Sequence, residues 1–402
     1  MKNLTFFFWS MVIALSLGRP PAAVAAAIYE NYTFIPFAGA PDVPGWYDGK
    51  GSEARFSAPH KVAVDQNGNV YVAEYLNHTI RKISPSGVVT TLAGRAGRSG
   101  AADGSGAAAL FYNPSAVAVD TAGNVYVADY SNHLIRKITP AGLVTTLAGK
   151  AGTIGSANGR GTAARFNFPV GLTLDSVGNL YVADSRNQTI RKITPSVTVS
   201  TIAGAAGSIG KTDGKGTAAR FNYPFGITTH ENGNLYVSDL HNHVIRVITP
   251  AGVVTTLAGT ATQSGSDDGT GAAARFNQPL DIIARSGNLF VADSANHTVR
   301  QVTPEGVVTT VAGAESVFGG EDGTGGDARF YFPTGVGLDN GGNLYIADYG
   351  NNTIRRIAPG NIVTTFAGIA GGSGSKDGPA LSARFSFPTG IAIDAVGNAY
   401  IA

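Results

Sequence analysis

Seven prolines constrain this chain more than any other feature. Pro59, Pro114, Pro169, Pro224, Pro279, Pro333 and Pro388 follow one another at steps of 55, 55, 55, 55, 54 and 55 residues. A period of this kind is the mark of one supersecondary unit copied along the chain, each copy burying its apolar face against the next. The one short step falls in Arg285-Ser286-Gly287-Asn288, which lacks a residue present in His230-Glu231-Asn232-Gly233-Asn234. A deletion confined to a turn leaves the strands around it in register.

The second copy, Pro114 to Gly149, contains four short alternating runs: Val117-Ala118-Val119, Asn124 to Ala128, Leu134 to Ile138 and Leu143 to Ala148. Strands of this length, separated by turn residues every 8 to 12 positions, predict an all-β fold. No stretch carries a helical period. Glycine, at 54 of 402 residues, marks a turn-rich chain, while 43% hydrophobic residues and few charges exclude disorder. Four antiparallel strands per copy, repeated radially, predict a β-propeller blade.

Asn132-His133-Leu134 spells the triplet that names a repeat, and the other copies read Asn77-His78-Thr79, Asn187-Gln188-Thr189, Asn242-His243-Val244, Asn296-His297-Thr298 and Asn351-Asn352-Thr353. On these residues the chain resembles the NHL-repeat β-propeller family across residues 32–402. The resemblance implies a propeller of four-stranded NHL blades. It also implies a binding platform, since members serve in protein binding, adhesion, sensing or RNA binding. Full copies start near residues 59, 114, 169, 224, 279 and 333, with a partial copy at 388–402. Residues 33–39 (TFIPFAG) match the fourth strand, so the expected architecture is seven blades closed by an N-terminal strand, with six blades as the alternative.

The start of the chain predicts an address. Lys2, the apolar stretch from Leu4 to Leu17, Arg19-Pro20-Pro21 and the small residues up to Ala27 read as a secretory signal peptide over 1–27, ahead of a propeller over 28–402. Export to the periplasm or exterior, as a monomer with no membrane span, is the expectation. With no cysteine, disulfides, thiolate zinc sites and cysteine nucleophiles are excluded. Lys2 and Arg19 account for the formal +2, leaving 27 basic and 27 acidic residues in the remainder, a balance that speaks against a nucleic-acid partner.

Residues recurring once per copy read as scaffold. These include the histidines His78, His133, His243 and His297, the acid–arginine pairs such as Asp129 and Arg136, and the Asp of each Asp-Gly turn. The phenylalanines Phe56, Phe111, Phe166, Phe221, Phe276, Phe330 and Phe385 read as wedges between blades. Function is then sought where copies disagree, on the face carrying the long inter-blade loops. There the sequence predicts a basic arc of Arg95, Arg98, Lys150, Arg160, Arg186, Lys211, Lys215 and His241. It predicts an acidic arc of Asp267, Asp268, Glu315, Glu321, Asp322 and Asp327. Such a field would steer and orient a charged partner. Aromatic candidates are Tyr75, Tyr112, Tyr130, Tyr349, Phe168, Tyr223 and Phe225, with Tyr331, Phe332 and Phe387 beside them.

The architecture also resembles that of propeller lyases and lactonases, a likeness that would imply a metal at the channel mouth with ligands on the first strands. The two positions after each proline supply only His60 and Asp281 as weak metal candidates. No Gly-x-Ser-x-Gly, phosphate loop or His-Glu-x-x-His occurs. The sequence therefore predicts an exported, non-catalytic module that needs no cofactor and captures a protein, peptide or glycan, with a metal-dependent propeller enzyme as the alternative.

Overall fold

The computed structural model describes residues 33–34, 45–51, 53–374, 378–379 and 382–402. The expected signal peptide, 1–27, lies outside the described residues, as does all of the expected closing strand 33–39 except Thr33–Phe34.

The fold is an all-β propeller. Among the described residues six complete sheets are present, and each has five strands. In the second copy the order from rim to axis is Gly104–Ser105, Leu143–Gly149, Leu134–Ile138, Val125–Asp129 and Pro114–Val119, every pair antiparallel. Six five-stranded blades thus replace the expected seven of four. The extra strand comes from the Asp-Gly segment. Gly104 takes φ +147 and pairs with Val144 while Ser105 pairs with Leu143, covering the outer edge of the sheet. Two residues are too few to show an alternating pattern, so periodicity alone does not reveal them.

Two two-stranded sheets accompany the six, one of them in the partial seventh copy. Ile391–Ile393 pairs with Ala399–Ile401 and packs beside the first strands of the first and sixth blades. Thr389 Oγ1 donates to the carbonyls of Pro59 and His60 at this seam. Thr33–Phe34 pairs with Gly378–Pro379 in the register that Val88–Val89 and Gly49–Lys50 use in the first blade.

Around the axis the first strands come very close. A Cβ added at Gly171, Gly226 or Gly335 would lie 2.4 Å from the carbonyl oxygen of Phe225, Leu280 or Thr389 in the next copy. At Gly390 it would lie 2.5 Å from the His60 carbonyl. The second position after the proline is glycine in these copies because nothing larger fits. Lys61, Ala116 and Asp281 are the departures.

Between blades the core is built around a buried arginine. Arg136 is fully buried, with Nη1 donating to Asp129 Oδ2 at 2.9 Å and to the Leu110 carbonyl, and Nη2 to Asp103 Oδ1 at 2.7 Å and to the Ala102 carbonyl. Its guanidinium stands 5.1 Å from the Phe111 ring. Arg81, Arg191, Arg246, Arg300 and Arg355 repeat the arrangement. The expected acid–arginine pair is present, and the Asp of the Asp-Gly turn proves to be more than a turn residue. Asp103 also accepts from Thr146 Oγ1, tying the inter-blade segment to the sheet, and Asn158 fills this place in the third copy. Burial pushes the Asp129 carboxyl up to about 6, against the pull of Arg136.

The ring of histidines is also structural. His133 adopts a left-handed backbone (φ 60), and its Nδ1 accepts the backbone N–H of Phe168 in the next copy at 3.2 Å. His78, His243 and His297 do the same for Asn113, Gln278 and Phe332. Gln188 Oε1 and Asn352 Oδ1 take over where histidine is absent, accepting from Tyr223 and Phe387. The position requires an acceptor of suitable reach, which explains why three residue types share it.

Candidate ligand site at the channel mouth

Each blade places two segments side by side at one end of the channel: the residues before the first strand, and the short helical turn between the second and third strands. Backbone bonds from Ser131 to Tyr112, Arg186 to Asn167 and His241 to Asn222 join them. Side chains from these segments in the first four copies converge.

Tyr75 lies 6.2 Å from Tyr130, ring to ring, and Tyr130 lies 4.7 Å from Phe168. The Arg186 guanidinium covers Phe168 at 4.4 Å, and His241 stacks on Tyr223 at 5.1 Å. Burial, then the charge and hydrogen bond of Tyr223, push the Tyr130 phenol up to about 12, with Arg186 pulling it down. Burial raises Tyr75 too, with Tyr223 and Tyr112 contributing. Three phenols, one cation and one imidazole therefore share a patch. Among the described residues the Arg186 side chain has no carboxylate partner and no hydrogen bond; it lies on the Phe168 ring and acts through its charge on Tyr130 and His133.

Below Tyr75 the His60 ring stands 6.0 Å away and its Nδ1 is fixed on the Ser115 carbonyl at 2.8 Å. His60 borders a cavity of about 160 Å3 that is also walled by Lys61, Ser115, Phe225 and Asp281. Lys61 Nζ reaches Asp281 Oδ2 at 2.8 Å, linking the first and fifth copies, and Asp281 also accepts the Val336 N–H. Burial holds the His60 imidazole below its usual value. Both metal candidates are thus engaged with protein groups, and no cluster of three metal-type side chains occurs among the described residues.

The predicted arcs separate on inspection. Arg95, Arg98, Lys150 and Lys211 lie exposed on the loops after the fourth strands, with Lys211 Nζ on Thr262 Oγ1 at 3.3 Å. Arg160 and Lys215 do not belong with them. Each sits on the two-residue outer strand, paired with Thr198 and Val253 beside the tight turns at the rim. Asp327 is placed similarly, since its turn is bonded through Gly325 to the Asn361 carbonyl. Asp268 and Asp322 are ligands of Arg300 and Arg355, each at 2.8 Å, and belong to the scaffold. Asp267, Glu315 and Glu321 remain as exposed acids.

Among the aromatics, Tyr112 packs edge-on to His78 beside the cluster, close enough to act on Tyr75, and Tyr349 lies 5.0 Å from Phe387. Phe225 faces the cavity instead of the rim. A second group joins the aromatic candidates Tyr331 and Phe332 to His297 and to Phe318, which is not among the candidates read from the sequence and is 61% exposed. Phe318 stands on a long loop where the other copies carry Ser99, Ile154, Ile209 and Ser264, so its ring is a departure from the repeat that the sequence does show.

The NHL repeat family pattern matches residues 56–83, 111–138, 166–193 and 330–357. NHL repeat-containing protein 2 of Bos taurus is 31% identical over 65% of this chain and 41% of its own length, and the Homo sapiens protein 30% over 68% and 42%. The chain belongs to the NHL-repeat β-propeller family. It spans about two fifths of the length of these relatives. Among solved structures, a streptogramin B lyase superposes with TM-score 0.61 at 15% identity, covering 89% of this chain and 93% of that one. An auxiliary nutrient binding protein from Bacteroides thetaiotaomicron gives 0.55 at 18% identity, over 82% and 76%. At these identities the likeness is one of fold.

Proposed function

We propose that this protein is an exported, monomeric, non-catalytic binding module that captures a peptide or glycan segment at the channel mouth. The observation that carries the reading is the patch of Tyr75, Tyr130, Phe168 and Tyr223 beside an Arg186 that has no protein acceptor. Flat rings stack on the apolar faces of sugars or side chains, phenols add hydrogen bonds, and an unpaired guanidinium holds a carboxylate or carbonyl. The exposed cations on the loops of the first copies and the acids on the later ones would orient the ligand. The likeness in fold to a nutrient-binding protein is consistent with capture and adds nothing about the ligand. A glycan and peptide array probed with the protein, then repeated with Tyr130→Ala and Arg186→Gln, tests the reading. Loss of the same hits in both variants supports it, and retention of the hits rejects it.

The second reading is an enzyme with a metal at the mouth, of the kind the streptogramin B lyase fold brings to mind. His60 and Asp281 would be its first ligands. The Lys61 ammonium on Asp281 counts against it, because a cation already neutralises the carboxylate that a metal would need.

A further inference from the structure

A groove of about 230 Å3 lies at the rim between the third and fourth blades, on the side of the tight turns, remote from the residues of the mouth. Its floor is apolar, formed by Tyr181, Ile202, Leu235 and Pro250, and two cations flank it, Lys192 and Lys215. Lys192 Nζ stands 5.7 Å from the Tyr181 ring. Lys215 is exposed on the two-residue outer strand.

The repeat shows what is special here. One blade earlier, Lys137 stands 5.7 Å from Tyr126, and Arg160 occupies the outer strand, where the neighbouring Gly161 approaches Leu147 as Gly216 approaches Ile202. The junction before them pairs Lys82, 5.9 Å from the Tyr71 ring, with a neutral Ser105, and the next two place Val247 with Thr270 and Gln301 with Thr324 at the same positions. Four cations therefore occur as two adjacent pairs, one blade apart, where the fold accepts neutral residues. None has an ion pair among the described residues. The nearby acids Asp120 and Asp175 are turned into their own turns, accepting from Asn124 and Tyr126 and from Asn179 and Tyr181.

We propose that this rim is a track for a linear anionic polysaccharide, with the groove seating one charged sugar and Lys137 and Arg160 holding the chain one blade on. The volume is below the ~300–1,000 Å3 of a pocket that encloses a whole small ligand, as suits a site holding one unit of a longer chain. The apolar floor with a tyrosine ring receives the face of a sugar, and the flanking cations receive its sulfate or carboxylate groups. A nucleic acid would find no row of exposed rings at this groove to stack on, and a chain whose formal charge is only +2.

Fluorescent heparin oligosaccharide titrated by anisotropy tests the track, with dextran as the neutral control. Wild type binds heparin and not dextran, and K137Q/R160Q/K192Q/K215Q weakens heparin at least tenfold with an unchanged melting temperature. Should the quadruple variant unfold, K137R/K192R with R160Q/K215Q supplies the comparison, with the same loss expected from the two outer cations. Arg186→Gln retains heparin binding, which separates this track from the mouth. Equal heparin affinity in the cation variants, or single-stranded DNA or anionic phosphatidylglycerol vesicles binding wild type as tightly as heparin, overturns the proposal.

Discussion

The Nδ1 of His133 accepts the backbone N–H of Phe168, a residue of the next blade, and so fastens two blades through a ring that must be neutral at that nitrogen. His78, His243 and His297 form equivalent links. Burial is the main cause holding all four below the ordinary value of 6.5, with Arg186 adding to it at His133 and His241 at His243.

A pH dependence follows from these links. The unfolded chain takes up protons near pH 6.5 while the folded histidines resist, so their stabilisation is complete above that pH and declines as pH falls toward the folded values. Gln188 shows that an amide fits the place. The variant H78Q/H133Q/H243Q/H297Q should melt close to wild type at pH 8 and a few degrees above it at pH 5. The raised carboxyls such as Asp129 respond in the opposite sense but are common to both proteins, so the difference isolates the histidines.

The two acids on each buried arginine should differ sharply in importance. Asp129 is fully buried beside Arg136, whereas the Asp103 side chain is 48% exposed and has a natural amide counterpart in Asn158. Asp129→Ala leaves a buried guanidinium without its charge partner and should cost about 3–5 kcal/mol. Asp103→Asn should cost less than about 1 kcal/mol, as screened partners do. Denaturant titrations of the two variants provide the comparison, and equal losses would contradict the arrangement.

The close approach of the first strands is equally open to test. Gly226→Ala drives a methyl against the Leu280 carbonyl at 2.4 Å and Ser238 Oγ at 2.9 Å, both within the ring around the channel. Overpacking of this kind costs about 1–3 kcal/mol. Ala116→Gly, the reverse change at the equivalent position, should stay within about 1 kcal/mol of wild type. Thermal melts of both decide the matter.

The repeat, the all-β fold, the acid–arginine pair and the structural role of the histidines were legible in the sequence, because each recurs at a fixed spacing. The fifth strand was not, since Gly104–Ser105 is too short to alternate. That strand also displaced Arg160 and Lys215 from the long-loop face: the loop does not stay at the mouth but runs down the rim to pair with the fourth strand. The mouth cluster was half legible. Tyr75, Tyr130, Phe168 and Tyr223 stood out as departures from symmetry, while the contact of Arg186 with Phe168 joins segments that only the fold brings together. Lys61 on Asp281 is a similar case, a pair 220 residues apart in sequence.

Lys61 and Asp281 should be coupled to each other and indifferent to metal. A double-mutant cycle with Lys61→Met and Asp281→Asn should give a coupling of about 1 kcal/mol, moderate because both side chains are partly exposed. A chelator should leave the melting temperature and ligand binding of wild type unchanged. A chelator-dependent drop in either would favour the metal-bearing enzyme.

Capture at the channel mouth is tested most directly by the affinity of wild type and of Arg186→Glu for one array-selected ligand, measured at two salt concentrations. The account predicts that reversal weakens binding at least tenfold at low salt, that added salt narrows the gap, and that the fold melts unchanged. Equal affinity for the two proteins at low salt would contradict it.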